Sequence, residues 1–407
     1  MQSLVLRLFE AFGDNPPPPR TRQVVRFLEL DGPLQQFLAR WRSAPQIDLG
    51  ELPVPVMAPS PRIPGSWNLP ELTTPGALAA WIQLDSARLD WFADCHSRER
   101  RAASERLRHY RYRWIGKRGG SARLLEAPKM RLKAIQRRIL RDVLDRIDPH
   151  AAAHAFRRGR SVVSYVAPHA GRHFVLRIDL REFFPSVRRA RVHALFRTVG
   201  YPERVARLLA ALCTNSVPQS VLDTVPGPIG LEDRDRLRRV FAEPHLPQGA
   251  PTSPALANLC AWRLDCRLSG LARSAGAAYT RYADDLLFSG DRRLFRRLAS
   301  FRVMVLAIVL DEGFTIHNRK TRVMTGALRQ QAAGVVVNQH ANIPREQYDW
   351  LKAVLYNCVR FGPASQNRAG HPNFREQLRG RIAYVSALNE TRGERLRTLF
   401  DEVDWTA

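Results

Sequence analysis

The sequence predicts an α+β fold, an antiparallel sheet backed by helices. Three observations carry this expectation. Between Phe174 and about Asn338, short β-rich runs (FVLRIDL, AYTRYA, DLLFSG, FTIH and AAGVVVN) are interleaved with longer helical patterns. Two of those runs flank an acidic turn, the pattern of a hairpin with antiparallel arms. Residues 345–407 read as wholly helical and basic.

In chain order, residues 1–66 read as an N-terminal extension. SLVLRLFEAF is a short amphipathic segment stopped by the prolines at Pro16 to Pro19, and QVVRFLELDGPLQQFLARW is a second helical pattern. LPVPVMAPSPRIPG, with prolines at 53, 55, 59, 61 and 64, reads as a linker or an extended wrap. Leu72 to Leu107 looks helical, with Thr74 as N-cap and Pro75 in the first turn. HYRYRWIGKRGGSARLLEAPK reads as two strands around Arg118-Gly119-Gly120. In MRLKAIQRRILRDVLDRID, apolar residues at 132, 135, 139, 140, 143, 144 and 147 hold one helix face. SPALANLCAWRLDCRLSGLARSAG and RRLFRRLASFRVMVLAIVLDEG also read as helices, the second closed by Gly313.

The chain has 407 residues, a net charge of +26 and a pI near 11.1. A basic excess of this size favours a polyanionic partner, nucleic acid before all others. Substitution of Arg for Lys accounts for there being only five Lys among 64 basic residues, but not for the excess over acids. The five cysteines are scattered and form no CxxC pair, which argues for a reducing compartment. The longest apolar run, Val303 to Leu310, is far too short for a membrane span, and no signal-like leader is visible. A cytoplasmic protein without a membrane partner is expected.

The acids are the unusual feature. Asp284 and Asp285 stand side by side in YTRYADDLLFSG, and Asp179 is alone in the apolar run FVLRIDL. Aspartate is common in turns, but these flanks are apolar, so the site is expected to be partly buried. Three carboxylates held close by strands make an oxygen site for hard divalent cations. Two Mg²⁺ ions about 3.5–4 Å apart can clamp an in-line phosphoryl displacement, and they offset the repulsion between the acids.

YADD after YTR resembles the catalytic hairpin of reverse transcriptases. RIDLREFFPSV resembles their first palm motif, LPQGAPTSPALANL the motif between, and GFTIHNRKT the one that follows. RLLEAPKMRLKAIQRRIL and HAFRRGRSV resemble the finger motifs of the bacterial enzymes. The resemblance covers about residues 72–400 and implies a right-hand polymerase. Its fingers would be 67–170, its palm 171–344 with inserted finger segments, and its helical thumb 345–407, after the 1–66 extension.

The resemblance also implies residue roles. Asp179 and Asp284 would be the principal ligands of two Mg²⁺ ions, with Mn²⁺ as a substitute. Asp285 would be a supporting ligand, and the Leu180 backbone carbonyl a further one. Phe184 would be the steric gate against a ribonucleotide 2′-hydroxyl. Gln248 and Gly249 would lie under the incoming nucleotide. Arg123 and Lys117 would grip the triphosphate, and Lys320 would face the leaving pyrophosphate, as a general acid or as neutralising charge. Arg157, Arg158, Arg160 and His169 would meet RNA or nucleotide phosphates.

No second acid cluster of the ribonuclease H kind follows the hairpin, and no HNH endonuclease pattern is visible. The layout is most similar to retron reverse transcriptases. These copy a structured non-coding RNA into single-stranded DNA from a 2′-hydroxyl, giving a branched RNA–DNA product (msDNA), and many act in anti-phage defence. Expected partners are that RNA as template and primer, the product, deoxynucleoside triphosphates, an effector protein and a host RNase H. Two retron signatures depart from pattern. YVAPH, Tyr165 to His169, keeps only the His of Asn-Ala-x-x-His, and AAGVVVN keeps only Gly334 of Val-Thr-Gly. Another defence-associated or group II intron-like bacterial enzyme is the nearest alternative. A catalytically silent RNA-binding scaffold is the alternative of a different class.

Overall fold

The computed structural model describes residues 4–12, 21–43, 55–60, 67–102, 104–116, 122–226 and 230–405. The chain divides into two compact units, Met1–Pro55 and Val56–Ala407. The smaller has helices Leu4–Phe12, Thr21–Leu30 and Gly32–Ser43. Asp31 separates the last two. Its Oδ1 accepts from the Leu34 N–H, the bond of an N-cap, and its carboxylate also takes the Arg7 guanidinium at 2.8 Å.

Within the larger unit, the extended residues 56–60 run against the turn at Gly200. The Ala58 N–H donates to Gly200 O and the Ser60 N–H to Thr198 O, each at 3.0 Å. Gly200 has φ +112°, and a Cβ there would meet Pro59 N at 2.8 Å, so only glycine allows this approach.

The helix expected over Leu72 to Leu107 is broken into Pro75–Trp81 and Ser86–Ala93, followed by short 3₁₀ turns. Thr74 caps the first, accepting from the Ala77 N–H, with Pro75 in its first turn as expected. Aspartates divide the rest. Asp85 caps the second helix, and Asp94 ends it in the left-handed region while accepting from the Arg98 and Glu99 N–H groups. Such side chains offer the backbone an alternative to the helix ladder.

Strands β1 (Tyr110–Gly116) and β2 (Ala122–Pro128) pair as expected; the Gly-Gly turn between them lies outside the described residues. Helix Met130–Asp142 buries Leu132, Ile135, Gln136 and Ile139. The Gln136 amide donates to Tyr110 Oη and Leu212 O, both at 2.9 Å.

The main sheet is antiparallel throughout. β3 (Phe174–Arg181) is central, flanked by β5 (Asp285–Gly290), with β4 (Ala278–Tyr282) beyond. On its other side, β6 (Thr315–Ile316) meets its C-terminal end and β7 (Arg322–Thr325) its N-terminal half. β3 is apolar on both faces because both are covered. Phe174, Leu176, Ile178 and Leu180 join the large core with Leu286 and Phe288; Val175 and Leu287 pack with Tyr165, Val166 and Val335. AAGVVVN is a hairpin rather than one strand: β8 (Gln331–Ala332) turns through Ala333 and Gly334, φ 46° and 84°, into β9 (Val335–Val336).

Helices Arg189–Thr198, Glu203–Cys213 and Leu231–Ala242 follow β3 and were not expected. Glu203–Cys213 buries every residue from Leu208 to Cys213, and its exposed residues Glu203, Arg204 and Arg207 all lie in its first five positions. The C-terminal residues form helices Arg345–Phe361, Phe374–Leu388 and Glu390–Asp401 around their own core, including Leu351, Leu378 and Leu396. Among the described residues no helix is long and apolar enough to cross a membrane.

Candidate active site

The ladder brings the three acids together. Asp179 is directly opposite Asp285 in the β3–β5 register, and Tyr282 pairs with Asp285, leaving Ala283 and Asp284 as a two-residue loop. Ala283 has φ +55°. Hairpin turns favour glycine at this first central position; a residue with a side chain held there costs about 1–3 kcal/mol. Both loop carbonyls are tied down. Asp284 O accepts from the Leu180 N–H at 2.8 Å, and Ala283 O from Arg281 Nη1 at 3.1 Å. The Asp179 carbonyl accepts from the His317 N–H at 2.7 Å.

The acids differ in their partners. Asp285 takes the Arg177 guanidinium on both oxygens, at 2.9 and 2.7 Å. Arg177 is two residues before Asp179 and so projects from the same strand face. Asp179 takes the Lys320 ammonium at 3.0 and 3.2 Å. No ion pair among the described residues reaches Asp284. Burial raises the Asp284 pKa above the usual carboxylate range, and the charges of Asp179 and Asp285 raise it further. Burial also raises that of Asp285, against the opposing pull of Arg177.

The acids open into a cavity of about 1430 Å³. Phe184, Arg123, Gln248, Gly249 and Lys320 line it, as does the Leu180 backbone region. β3 ends at Arg181, Glu182 takes a left-handed conformation, and Phe183 and Phe184 begin a short helix rather than continuing the strand. Phe183 is buried in the core, while the partly exposed Phe184 ring packs between Phe183 and Phe156, at 5.7 and 6.1 Å. Arg123 is exposed on β2. Behind it, buried Glu126 anchors the strand: Asn215 Nδ2 donates to it at 2.8 Å, and His245 Nε2 lies 3.1 Å from its other oxygen. The Glu126 N–H donates to Gln248 O at 2.8 Å, and a Cβ on Gly249 (φ +131°) would meet Glu126 O at 2.9 Å. Gly249 thus permits a backbone-to-backbone approach of protein on protein.

Other expected residues are elsewhere. Lys117 lies outside the described residues. Arg157 and Arg158 sit 3.6 Å from Asp148 and Asp145, and Arg160 is exposed; of this segment, Phe156 reaches the cavity. His169 is fully buried between Ser289 Oγ at 2.7 Å and Thr280 Oγ1 at 2.8 Å. Burial first, and then Arg172 and His154, lowers its pKa to about 3. A neutral ring with both nitrogens engaged joins β4 to β5 and has no route to RNA, which corrects the expected contact.

Two functional candidates escaped the sequence reading: Arg177 and Arg281. For Arg177 the available signal was period two, since it stands two residues before Asp179 on the same strand face. Arg281, three residues before Asp284 and on the other face, had no such signal.

A family described as reverse transcriptase (RNA-dependent DNA polymerase) matches residues 115–355. The retron Mx65 reverse transcriptase of Myxococcus xanthus is 43% identical over 72% of this chain and 64% of its own length. The retron Mx162 reverse transcriptase of the same organism is 36% identical over 84% of this chain and 69% of its own. The retron Ec86 reverse transcriptase of Escherichia coli is 28% identical over 72% and 81%. The match thus spans just under two thirds of the Mx65 relative. With a catalytic-type acid triad on an antiparallel ladder and motifs in matching order, the chain belongs to the reverse transcriptase family, with the bacterial retron reverse transcriptases.

Proposed function

We propose that the chain is an RNA-directed DNA polymerase that copies a structured non-coding RNA into single-stranded DNA. The observation that carries this reading is the pairing of Asp179 with the Asp284–Asp285 turn on the floor of a cavity walled by Phe184 and Arg123.

The donor set fits a hard divalent cation, being all oxygen. No three-residue metal cluster is already formed among the described residues. Arg177 and Lys320 pair with the carboxylates of Asp285 and Asp179. Asp179, Asp284 and the Leu180 carbonyl would hold the ions, Mg²⁺ or Mn²⁺, with Asp285 in support. Such ions lower the pKa of the attacking hydroxyl and neutralise the leaving pyrophosphate when bound.

The chain's own groups do the rest. Arg123 presents a planar guanidinium to the triphosphate. Gln248 offers its amide beneath the nascent base pair. Phe184 fills the space a 2′-hydroxyl would need. Lys320, within bonding distance of Asp179, supplies charge and a proton to the pyrophosphate. Arg157, Arg158 and Arg160 contact phosphates of the template. In this reading 67–170 are fingers, 171–344 palm and 345–407 thumb. On the same reading the product is branched and primed from a 2′-hydroxyl, and the chain acts in defence with an effector protein and a host RNase H; what supports it is the similarity to retron reverse transcriptases.

The test is extraction of the nucleic acid bound to the purified protein, then RNase and a 2′–5′ debranching enzyme. A short DNA of one length released by debranching is expected. A long or protein-linked DNA overturns the retron-type product, and no metal-dependent primer extension overturns the polymerase reading.

A further inference from the structure

Arg281 lies three residues before Asp284, on the sheet face opposite the carboxylate of Asp285, and is fully buried. Four of its five N–H directions are used. Nε and Nη2 donate to Asp265 at 2.8 and 2.6 Å. Nη1 donates to Asn258 Oδ1 at 3.0 Å and to Ala283 O at 3.1 Å. Tyr279 Oη donates to the same Asp265 at 2.8 Å. The guanidinium therefore stands on a rigid base of two helices, Ser253–Cys260 and Trp262–Ser274, and presses one N–H onto the strained residue of the acidic turn.

Its reach extends further. The Arg281 backbone pairs with Ala152 and His154, at 2.7 and 2.8 Å, and Asn258 Nδ2 donates to Ala155 O at 2.8 Å. Phe156, the next residue, packs on Phe184, while the Arg281 guanidinium lies 5.6 Å from the Phe183 ring. One buried cation thus joins the turn of Asp284, the wall carrying Phe184 and the loop carrying Phe156.

Buried ion pairs can often be replaced by apolar groups without loss of stability. What an apolar replacement cannot supply here is the donor to Ala283 O. We propose that Arg281, seated on Asp265 and Asn258, is a positioning residue that sets Asp284 against Asp179 for nucleotidyl transfer. This rests on the polymerase reading above. Arg281 touches neither nucleotide nor cation, and acts through the turn.

The experiment compares Arg281→Lys and the double variant Arg281→Met/Asp265→Leu with wild type, in the full chain with its RNA. The double variant removes both charges together, so no lone charge stays buried. Folding is checked by circular dichroism and cooperative melting. Expected is a fall in kcat of about 100-fold, as for an ångström-scale misplacement. The KM for deoxynucleotide should stay within a factor of about three, since binding contacts are intact. A second readout does not need activity: exchange of the Leu180 amide, bonded to Asp284 O, should speed up about tenfold or more. Folded variants with wild-type kcat and Leu180 exchange overturn the assignment. So does loss of the fold in both, which would make Arg281 a core residue only. If Asp284→Ala also retains activity, it is the polymerase reading that falls; if Asp284→Ala is inactive while the Arg281 variants match wild type, only this assignment does.

Discussion

Arg177 and Asp285 form a two-pronged ion pair across the central ladder, Nε to Oδ1 at 2.9 Å and Nη2 to Oδ2 at 2.7 Å. It makes the adjacent acids of the turn unequal. Asp285 already has a full countercharge from the protein, whereas Asp284 has no ion pair among the described residues, and burial and the charges of Asp179 and Asp285 outweigh the opposing pull of Lys320. Asp284→Asn is therefore expected to lower single-nucleotide incorporation about 1,000-fold or more. Asp179→Asn should match it, because its partner Lys320 is a single half-exposed ammonium, whereas Asp285 is held by a two-pronged guanidinium. Asp285→Asn should leave a measurable remainder. Equal losses at 284 and 285 would show that the Arg177 pair does not relieve Asp285 of ligand duty.

Removing the cation gives the complementary prediction. In Arg177→Met, Asp285 stays partly buried without a partner, at an expected cost of about 1–3 kcal/mol once discounted for the exposure of Arg177. Its carboxyl, already raised by burial, loses the interaction that holds it down. An acid with a raised pKa needs a higher pH to ionise, so the acid limb of the pH–kcat profile should move to higher pH. A profile shifted to lower pH would contradict the ion pair.

The proposed steric gate is tested by substitution of the half-buried ring of Phe184. Phe184→Ala opens space between Phe156 and the acids, while Phe183 continues to fill the core beneath. Discrimination against ribonucleotides should fall by about 10-fold or more, the scale of a steric contact in a pocket. The ratio of kcat/KM for deoxy- and ribonucleotide measures it. Phe183→Ala should instead cost stability, about 3–5 kcal/mol.

How much of this was legible in the sequence follows from what each residue interacts with. Asp179, Asp284 and Asp285 stood out because charge in an apolar strand is costly, and Thr74 because a cap acts locally. Arg177 and Arg281 are as costly, yet the excess of arginine hid them: in a chain of net charge +26 one more arginine carries no signal. His169 was expected at RNA from the resemblance to the retron signature, and its true partners, Thr280 and Ser289, are more than a hundred residues away in sequence and gave no local sign. The helix Glu203–Cys213 was missed because its polar residues, Glu203, Arg204 and Arg207, are confined to its start, and the buried run Leu208 to Cys213 has no polar position to mark a face.

Gly249 is where a backbone constraint sets an outcome. Gly249→Ala places a Cβ 2.9 Å from Glu126 O, in a backbone conformation that side chains rarely adopt. A cost of about 1–3 kcal/mol is expected. The loop must withdraw from β2, so the Gln248 O bond to the Glu126 N–H weakens and the deoxynucleotide KM rises. Denaturant unfolding and steady-state kinetics check the two effects separately.

The last prediction concerns acid. His169 is neutral in the fold, with a pKa near 3, against an ordinary value of 6.5. For a base whose folded pKa is depressed, the unfolded state binds the proton first. Stability is therefore intact above about pH 6.5 and falls as pH drops toward 3, with a slope approaching 1.4 kcal/mol per pH unit from this group alone. His169→Gln removes the titration while keeping a donor and an acceptor between Thr280 and Ser289. The variant should be less stable than wild type at pH 7, because the ring packing is lost, and the gap should narrow as the pH falls to 4.5. Urea unfolding at both pH values reads this directly. A gap that widens on acidification would show that His169 is charged in the folded protein, and that the two hydroxyls both accept from it.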